Sequence, residues 1–200
     1  MMRVAVFASG TGSNAERLIL HWQQTPQPLA RVVLLVSGKR DAPVVAKAHL
    51  LRVPVVVISR RSLNHPEDLI RVLKSERIDA IVLLGFLWLI PPDLIRAFDG
   101  RILNLHPSLL PDFGGKGMYG MHVHEAVVAA AASKSGITLH LVNDEYDRGP
   151  IVAQFSLEVR KGETAFELSQ RIHELEQQHV PEAVELFLRQ SVLRSPSTLF

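Results

Sequence analysis

Apolar and polar segments alternate in a regular order along the first 105 residues of the chain. Short continuous runs of valine, isoleucine and leucine are each followed by a segment whose apolar residues recur at helical spacing. Continuous runs are typical of strands buried on both faces, and their alternation with helices indicates βαβ units and a parallel sheet. The predicted strands are Val4–Ala8, Val32–Val36, Val55–Ile58, Ile78–Leu84 and Ile102–Leu105, and the predicted helices are 14–23, 42–51, 66–75 and 92–97.

The pattern changes after Pro107. Residues 112–120 contain four glycines and are predicted to form a loop, called the glycine loop below. Further predicted elements are a helix over His122–Ala132, strands over Ile137–Val142 and Ile151–Val159, and a helix over Thr164–Arg189. We therefore expect an α/β fold in a single domain over residues 1–190, with a doubly wound, mostly parallel (Rossmann-like) sheet and helices on both faces. Residues 191–200 lack a periodic pattern of apolar residues and are expected to form a flexible tail.

Composition narrows the class of protein. The 200 residues include 47% hydrophobic and 21% charged residues, which is typical of a globular domain. A net charge of +2 without a basic run predicts no nucleic-acid partner, and the apolar runs are too short to cross a membrane. The absence of cysteine excludes disulfides and thiolate chemistry and fits a reducing cytosol. Because Arg3 leads directly into a strand, no signal peptide is expected and a cytoplasmic location is predicted.

The loop after the first predicted strand, "SGTGSNA", points to an anion site. Gly10, Gly12 and Ala15 satisfy the G-x-G-x-x-A pattern of dinucleotide-binding turns. Backbone amides at the following helix N-terminus favour a bound phosphate, whereas a structural turn would need only the glycines and a capping Ser13 or Asn14.

Two kinds of phosphate ligand remain open at this loop. NAD binding expects an acidic residue at the end of the second strand, where the sequence "VSGKRD" has Lys39 and Arg40 instead. These two cations would suit a 2′-phosphate, so an NADP-dependent reductase or a non-catalytic nucleotide-binding module stays an alternative to a mononucleotide site.

The stretch "NLHP" at the end of the fifth predicted strand is a candidate catalytic motif. Asn104 and His106 are two residues apart, so their side chains share one face of the strand, and Pro107 turns the chain there. An amide donor beside an imidazole can stabilise an oxyanion and move a proton. A polar turn in which both side chains satisfy backbone groups is the alternative.

A second polar cluster lies in the loop "NDEYDRGP". Its three carboxylates, in residues 144–147, are more typical of a solvated turn than of a catalytic group. Catalysis would need one carboxylate close to His106, where it would raise the pKa of the imidazole. The pair His122 and His124 is interpreted as polar residues at a helix start, because positions i and i+2 do not share a helix face, and no metal site is predicted.

Three motifs together resemble one family. "SGTGSN", "NLHPSLLP" and "DEYDRGPIVAQ" are similar, in order and spacing, to the phosphoribosylglycinamide (GAR) formyltransferases, and the resemblance covers residues 2 to 188. It implies transfer of a formyl group from 10-formyltetrahydrofolate, a cosubstrate, to the amine of glycinamide ribonucleotide in de novo purine biosynthesis. It implies small-molecule partners only, no metal, and a monomer or homodimer.

The resemblance also implies roles for individual residues. Asn104, protonated His106 and Asp147, rather than Asp144, would be catalytic, with His140 as a supporting residue. The first half, residues 1–105, would bind the nucleotide and residues 106–190 would complete and close the folate site. The implied ribonucleotide-binding residues are Gly12, Ser13, Asn14, Ala15, Glu16 and Glu176. The implied folate-binding residues are Leu87, Trp88, Leu89, Ile90, Asn104, Asn143, Asp144, Glu145, Tyr146 and Asp147.

Some positions depart from the family pattern. Trp88 stands where relatives carry arginine, Arg148 precedes Gly149 where a small residue occurs, and Lys116 and Tyr119 of the glycine loop receive no role. The nearest alternative is a formyltetrahydrofolate hydrolase, whose members usually carry an additional N-terminal domain, and a motif that begins at residue 9 disfavours it.

Overall fold

The computed structural model describes residues 1–194 of the chain, in seven strands and seven helices. The strands are β1 (Met2–Phe7), β2 (Ala30–Ser37), β3 (Val55–Val57), β4 (Ala80–Leu83), β5 (Ile102–His106), β6 (Lys134–Leu141) and β7 (Ile151–Glu158). The helices are α1 (Ser13–Gln24), α2 (Pro43–Leu50), α3 (Arg60–Asn64), α4 (Glu67–Ser75), α5 (Pro92–Ala97), α6 (Met121–Ala129) and α7 (Ala165–Arg194).

All seven strands form one sheet in the order β3-β2-β1-β4-β5-β6-β7. The first five strands are parallel, as the continuous apolar runs predict, and β6 and β7 are antiparallel to their neighbours. The order reverses between β1 and β4, because the chain builds outward first on one side of β1 and then on the other. In such sheets the crevice beyond the carboxyl ends of the strands at this reversal is the usual ligand site.

A hydrophobic core lies on each face of the sheet, which explains the continuous apolar runs. In β1, Val4 and Val6 pack into the core on the side of α1 and α7, whereas Ala5 and Phe7 pack into the core on the other side. All four side chains are fully buried. The two-sided burial expected of a doubly wound sheet is therefore confirmed.

Apart from shifts of one to three residues at the ends of elements, the structure differs from the predicted elements at two places. The short helix α3 was not predicted; its N-cap is Ser59, whose side chain and that of Ser62 form a reciprocal capping box. The last helix extends to Arg194 instead of ending at Arg189, so residues 191–194 of the predicted tail are helical. The rest of that tail, residues 195–200, lies outside the described residues.

None of the helices within residues 1–194 is long and apolar enough to cross a membrane.

Gly136 in β6 provides a test of the close packing between β6 and β7. A Cβ atom at this position would collide with the carbonyl oxygen of Phe155 in the neighbouring strand. Gly136→Ala is therefore expected to lower the free energy of unfolding by about 1–3 kcal/mol, as measured by urea denaturation. The matched control is Ser135→Ala in the same strand, which removes a buried hydroxyl without a hydrogen-bond partner and is expected to leave stability unchanged or increase it. Equal stability of Gly136→Ala and the wild type would contradict this packing.

Candidate active site

A large cavity opens beyond the carboxyl ends of β1, β4 and β5. Its volume is about 1170 Å³, enough for two small-molecule substrates. Its walls come from the loop after β1, residues 83–90 after β4, the end of β5, residues 115–121, the loop after β6 and the facing side of α7. The cavity thus lies where the strand order reverses.

Asn104 and His106 enter this cavity from the end of β5. Leu103 and Leu105, which alternate with them, are buried in the core on the α1 side, so the predicted alternation along this strand is present. His106 is only 3% exposed, and its Nε2 lies 2.9 Å from the carbonyl oxygen of Phe113. Because a carbonyl oxygen can only accept, Nε2 carries a proton and the other ring nitrogen, Nδ1, faces Asp147.

The carboxylate of Asp147 lies at the centre of a group of polar side chains, Asn104, His106, His140 and Asp147 itself, called the polar cluster below. Its Oδ2 accepts a hydrogen bond from the Gly115 amide at 2.9 Å and lies 3.6 Å from Nδ1 of His106. Its Oδ1 lies 3.4 Å from both Nε2 of His140 and Nδ2 of Asn104. The structure therefore brings together all three predicted catalytic residues and the predicted supporting histidine.

His140 of β6 lies beside Asn104 of β5. In the β5–β6 pair, Asn104 lies directly opposite His140, and their side-chain nitrogens Nδ2 and Nε2 are 3.0 Å apart. The Nδ1 of His140 donates to the carbonyl oxygen of Leu141 at 2.8 Å. This contact fixes the orientation of the ring, so that its Nε2 faces both the Asn104 amide and the Asp147 carboxylate.

Burial and charge act in opposite directions on His106. Burial lowers the pKa of His106 and outweighs the opposing effects of the Asp147 carboxylate and the Phe113 carbonyl, while His140 lowers it further. The expected raising effect of Asp147 is present. Because the desolvation of the ring is the larger effect, the net change in the pKa of His106 is downward, which favours the neutral ring rather than the protonated ring that the resemblance implies.

The same cluster keeps Asp147 ionised. Burial alone would raise its pKa, but the contact with His140, the Gly115 amide and the nearby His106 together hold the pKa of Asp147 below its usual value. The site therefore combines a carboxylate with an imidazole that is neutral at pH 7, which is a pair able to accept one proton.

The loop after β1, residues 9–12, is called the glycine turn below. It forms the end of the cavity opposite Asp147 and its partners. Gly12 has φ 70°, and a Cβ atom there would collide with Val44, so this position requires glycine. Ser13 and Asn14 open α1 and line the cavity. Asn14 Nδ2 donates to Glu176 of α7 at 2.8 Å, so the predicted ribonucleotide residues on two distant helices do meet.

Three of the predicted binding residues do not line the cavity with their side chains. Ala15 is fully buried in the core beneath α1, and Glu16 forms an ion pair with Lys47 at 2.5 Å. Asp144 is exposed on the outer side of its loop, whereas Asn143, Glu145, Tyr146 and Asp147 line the cavity. Residues 12–14 and Glu176 therefore remain the candidates for the ribonucleotide.

An apolar wall faces the polar cluster. Leu87, Trp88, Leu89 and Ile90 all line the cavity, and Leu87 and Leu89 are 58% and 45% exposed. Trp88 lies edge-on to Phe86, and the guanidinium of Arg60 sits 5.2 Å from the indole ring. The tryptophan thus forms part of the wall, and its exposed neighbours suit a flat apolar ligand.

The cavity also contains residues that were not predicted. The glycine loop and the start of α6 contribute Lys116, Met118, Tyr119, Met121 and His124, and α7 contributes Ser169, Ile172 and His173. Both His122 and His124 lie at the start of α6, as predicted, but His122 is exposed whereas His124 is only 6% exposed. Positions i and i+2 point to different sides of a helix, so one of the two histidines faces inward.

Within residues 1–194, no group of three histidine, aspartate or glutamate side chains is placed to hold a metal ion.

Comparison with known proteins identifies the family of the chain. The family model of the formyl transferases matches residues 2–184. The chain belongs to the formyl transferase family. This match covers every residue of the polar cluster and both walls of the cavity.

The chain is similar to several proteins named phosphoribosylglycinamide formyltransferase. The phosphoribosylglycinamide formyltransferase of Bacillus subtilis is 34% identical over 192 residues, which cover 94% of this chain and 95% of that protein. The chloroplastic enzyme of the same name from Arabidopsis thaliana is 42% identical over 85% of this chain, but the chain spans only 60% of that relative. The crystal structure of the Bacillus halodurans enzyme superimposes with a TM-score of 0.83 at 33% identity, covering 99% and 98% of the two chains.

Replacing the central carboxylate of this formyl transferase tests the electrostatics of the site. Asp147→Asn keeps the shape of the side chain but removes the charge that raises the pKa of His106, so the pKa of His106 is expected to fall further below its ordinary value. NMR titration of the His106 ring resonances measures this shift. Asp144→Asn, in the same loop but exposed, is the control and should leave the His106 titration unchanged. An unchanged or raised pKa of His106 in Asp147→Asn would contradict the arrangement.

Proposed function

We propose that this formyl transferase moves a formyl group from 10-formyltetrahydrofolate to the amine of glycinamide ribonucleotide, as the phosphoribosylglycinamide formyltransferases named above suggest. One observation carries the proposal: Asn104, His106 and Asp147 converge in a cavity between a phosphate-type glycine turn and an exposed apolar wall. A two-substrate transfer needs this arrangement, because each substrate occupies one side and the reacting atoms meet in the middle.

The ribonucleotide is assigned to the side of the glycine turn. The first backbone amides of α1, at Ser13 and Asn14, lack partners within the helix and lie at the positive end of its dipole, which suits a phosphate. Glu176, hydrogen-bonded to both Asn14 and His173, supplies carboxylate oxygens that accept from the sugar hydroxyls. The phosphate and the sugar together orient the amine toward His106.

The folate is assigned to the apolar side. The stretch Leu87–Ile90 and the loop Asn143–Asp147 enclose this part of the cavity, and Tyr146, 44% exposed, provides further apolar surface for a pterin ring. Stacking between these two segments would bring the formyl group over the end of β5.

Asn104 stabilises the charge that develops during the transfer. The amine attacks the formyl carbon, a new C–N bond forms and the carbonyl oxygen becomes an oxyanion. The Asn104 amide makes a 3.0 Å contact with His140 and a longer one of 3.4 Å with Asp147, and the longer contact is the one that the oxyanion would replace. One such donor is typically worth about 3 kcal/mol of activation free energy.

His106 and Asp147 transfer the proton. Since burial lowers the pKa of His106, the ring begins neutral and can accept the proton that the attacking amine loses. The Asp147 carboxylate stabilises the resulting imidazolium. This proton then passes to N10 of the folate as its bond to the formyl carbon breaks, so the site ends in its starting protonation state and tetrahydrofolate leaves.

The alternatives leave parts of the site without a role. In a hydrolase water would replace the amine, and the contact between Asn14 and Glu176 beside the glycine turn would serve no substrate. A reductase that holds a 2′-phosphate would use Lys39 and Arg40, which do not line the cavity. The cytoplasmic location remains a prediction from composition.

The direct test measures the release of tetrahydrofolate from the formyl donor by absorbance, with and without glycinamide ribonucleotide. Release should require the ribonucleotide, and His106→Ala should lower kcat by roughly 10²–10⁴-fold because the proton-transfer group is lost. His122→Ala removes an exposed histidine that does not line the cavity and is the matched control. Release without the ribonucleotide would point to the hydrolase, and quenching of tryptophan fluorescence by NADPH alone would point to the reductase.

A further inference from the structure

One histidine in the cavity has no part in the chemistry described so far. His124 lies in α6, which packs on α7, and its side chain lines the cavity although it is only 6% exposed. Its Nδ1 is buried and has no hydrogen-bond partner in the described part of the chain. Leaving a buried polar atom unpaired is costly, so a reason for a histidine at this position is required.

The other buried atoms without partners lie elsewhere. Within residues 1–194 they are Ser9 Oγ, Ser135 Oγ and His179 Nδ1, and none of these three residues lines the cavity. The ring of His179 stacks on Phe155 at a centroid distance of 4.0 Å, which gives that histidine a packing role. His124 is therefore the one such residue, among those described, that could meet a ligand.

The electrostatic neighbours of His124 locate it within the cavity. Burial lowers the pKa of His124, Glu176 acts to raise it and His106 to lower it further, so the ring is neutral at pH 7. A neutral imidazole offers one N–H donor and one acceptor nitrogen. His124 thus lies within electrostatic reach of both the carboxylate assigned to the sugar and the histidine assigned to the amine.

We propose that His124 is a positioning residue that hydrogen-bonds the amide group of the glycinamide portion of the ribonucleotide. This inference rests on the proposed function, because the amide is the polar group between the sugar and the reacting amine. An amide carries both a donor and an acceptor, so it can pair with either nitrogen of a neutral imidazole. The hydrogen bond would pair a ring nitrogen of His124 with the substrate and hold the amine in line with His106.

The proposal predicts opposite changes in stability and affinity. His124→Leu and His124→Phe replace the unpaired polar ring with apolar side chains, so the melting temperature of the protein should stay the same or rise. Calorimetric titration with glycinamide ribonucleotide should show an affinity lower by about tenfold to a hundredfold, because the substrate amide is left unpaired. Ser135→Ala, which removes a buried unpaired hydroxyl that does not line the cavity, should share the stability change without the loss of affinity.

A truncated ligand identifies the group that His124 contacts. Ribose 5-phosphate has the phosphate and sugar but no amide, so its affinity should be the same for the wild type and both His124 variants. Equal weakening of both ligands would place the contact on the sugar or phosphate and overturn the assignment. Unchanged affinity for glycinamide ribonucleotide in the variants that fold would overturn the role of His124 altogether.

The measurement also separates this inference from the proposed function. Wild-type protein that binds the ribonucleotide but does not release tetrahydrofolate would refute the formyl transfer, and the affinities of the variants would still decide the role of His124. Wild-type protein that does not bind the ribonucleotide would overturn both.

Discussion

The carboxylate of Asp147 is the interaction on which the site depends. A buried negative charge must be paired and hydrogen-bonded, and Asp147 obtains its partners from three separate parts of the chain: β5, β6 and the glycine loop. Its own backbone is in the left-handed region, with φ 53°, which is uncommon for a residue other than glycine. The left-handed conformation at Asp147, in the loop after β6, thus accompanies the placement of its carboxylate among these partners.

The sheet explains how these partners come together. The parallel strands place the end of β5 beside the glycine turn of β1, and the antiparallel β6 returns along β5 so that His140 lies opposite Asn104. The change in direction at β6 thus supplies the second histidine, while the reversal of order between β1 and β4 opens the space for the substrates.

Local pattern was enough to predict some of these features and not others. The five parallel strands follow from continuous apolar runs, and the shared face of Asn104 and His106 follows from the period of a strand. The pairing of Asn104 with His140 depends on the register of strands distant in sequence, and the choice of Asp147 over Asp144 came from family resemblance. The burial of His124 depends on the packing of α6 against α7, which no local pattern in "GMHVHEAV" reveals.

Because Asp147 acts through His106, the two residues should behave as one catalytic unit. A double-mutant cycle of His106→Ala and Asp147→Asn, measured as kcat/KM for ribonucleotide-dependent tetrahydrofolate release, tests this most directly. The account predicts that the double variant is within about threefold of the slower single variant, because each change removes the same proton-transfer function. A double variant whose loss equals the product of the two single losses would show that the residues act independently and would contradict the central role of Asp147.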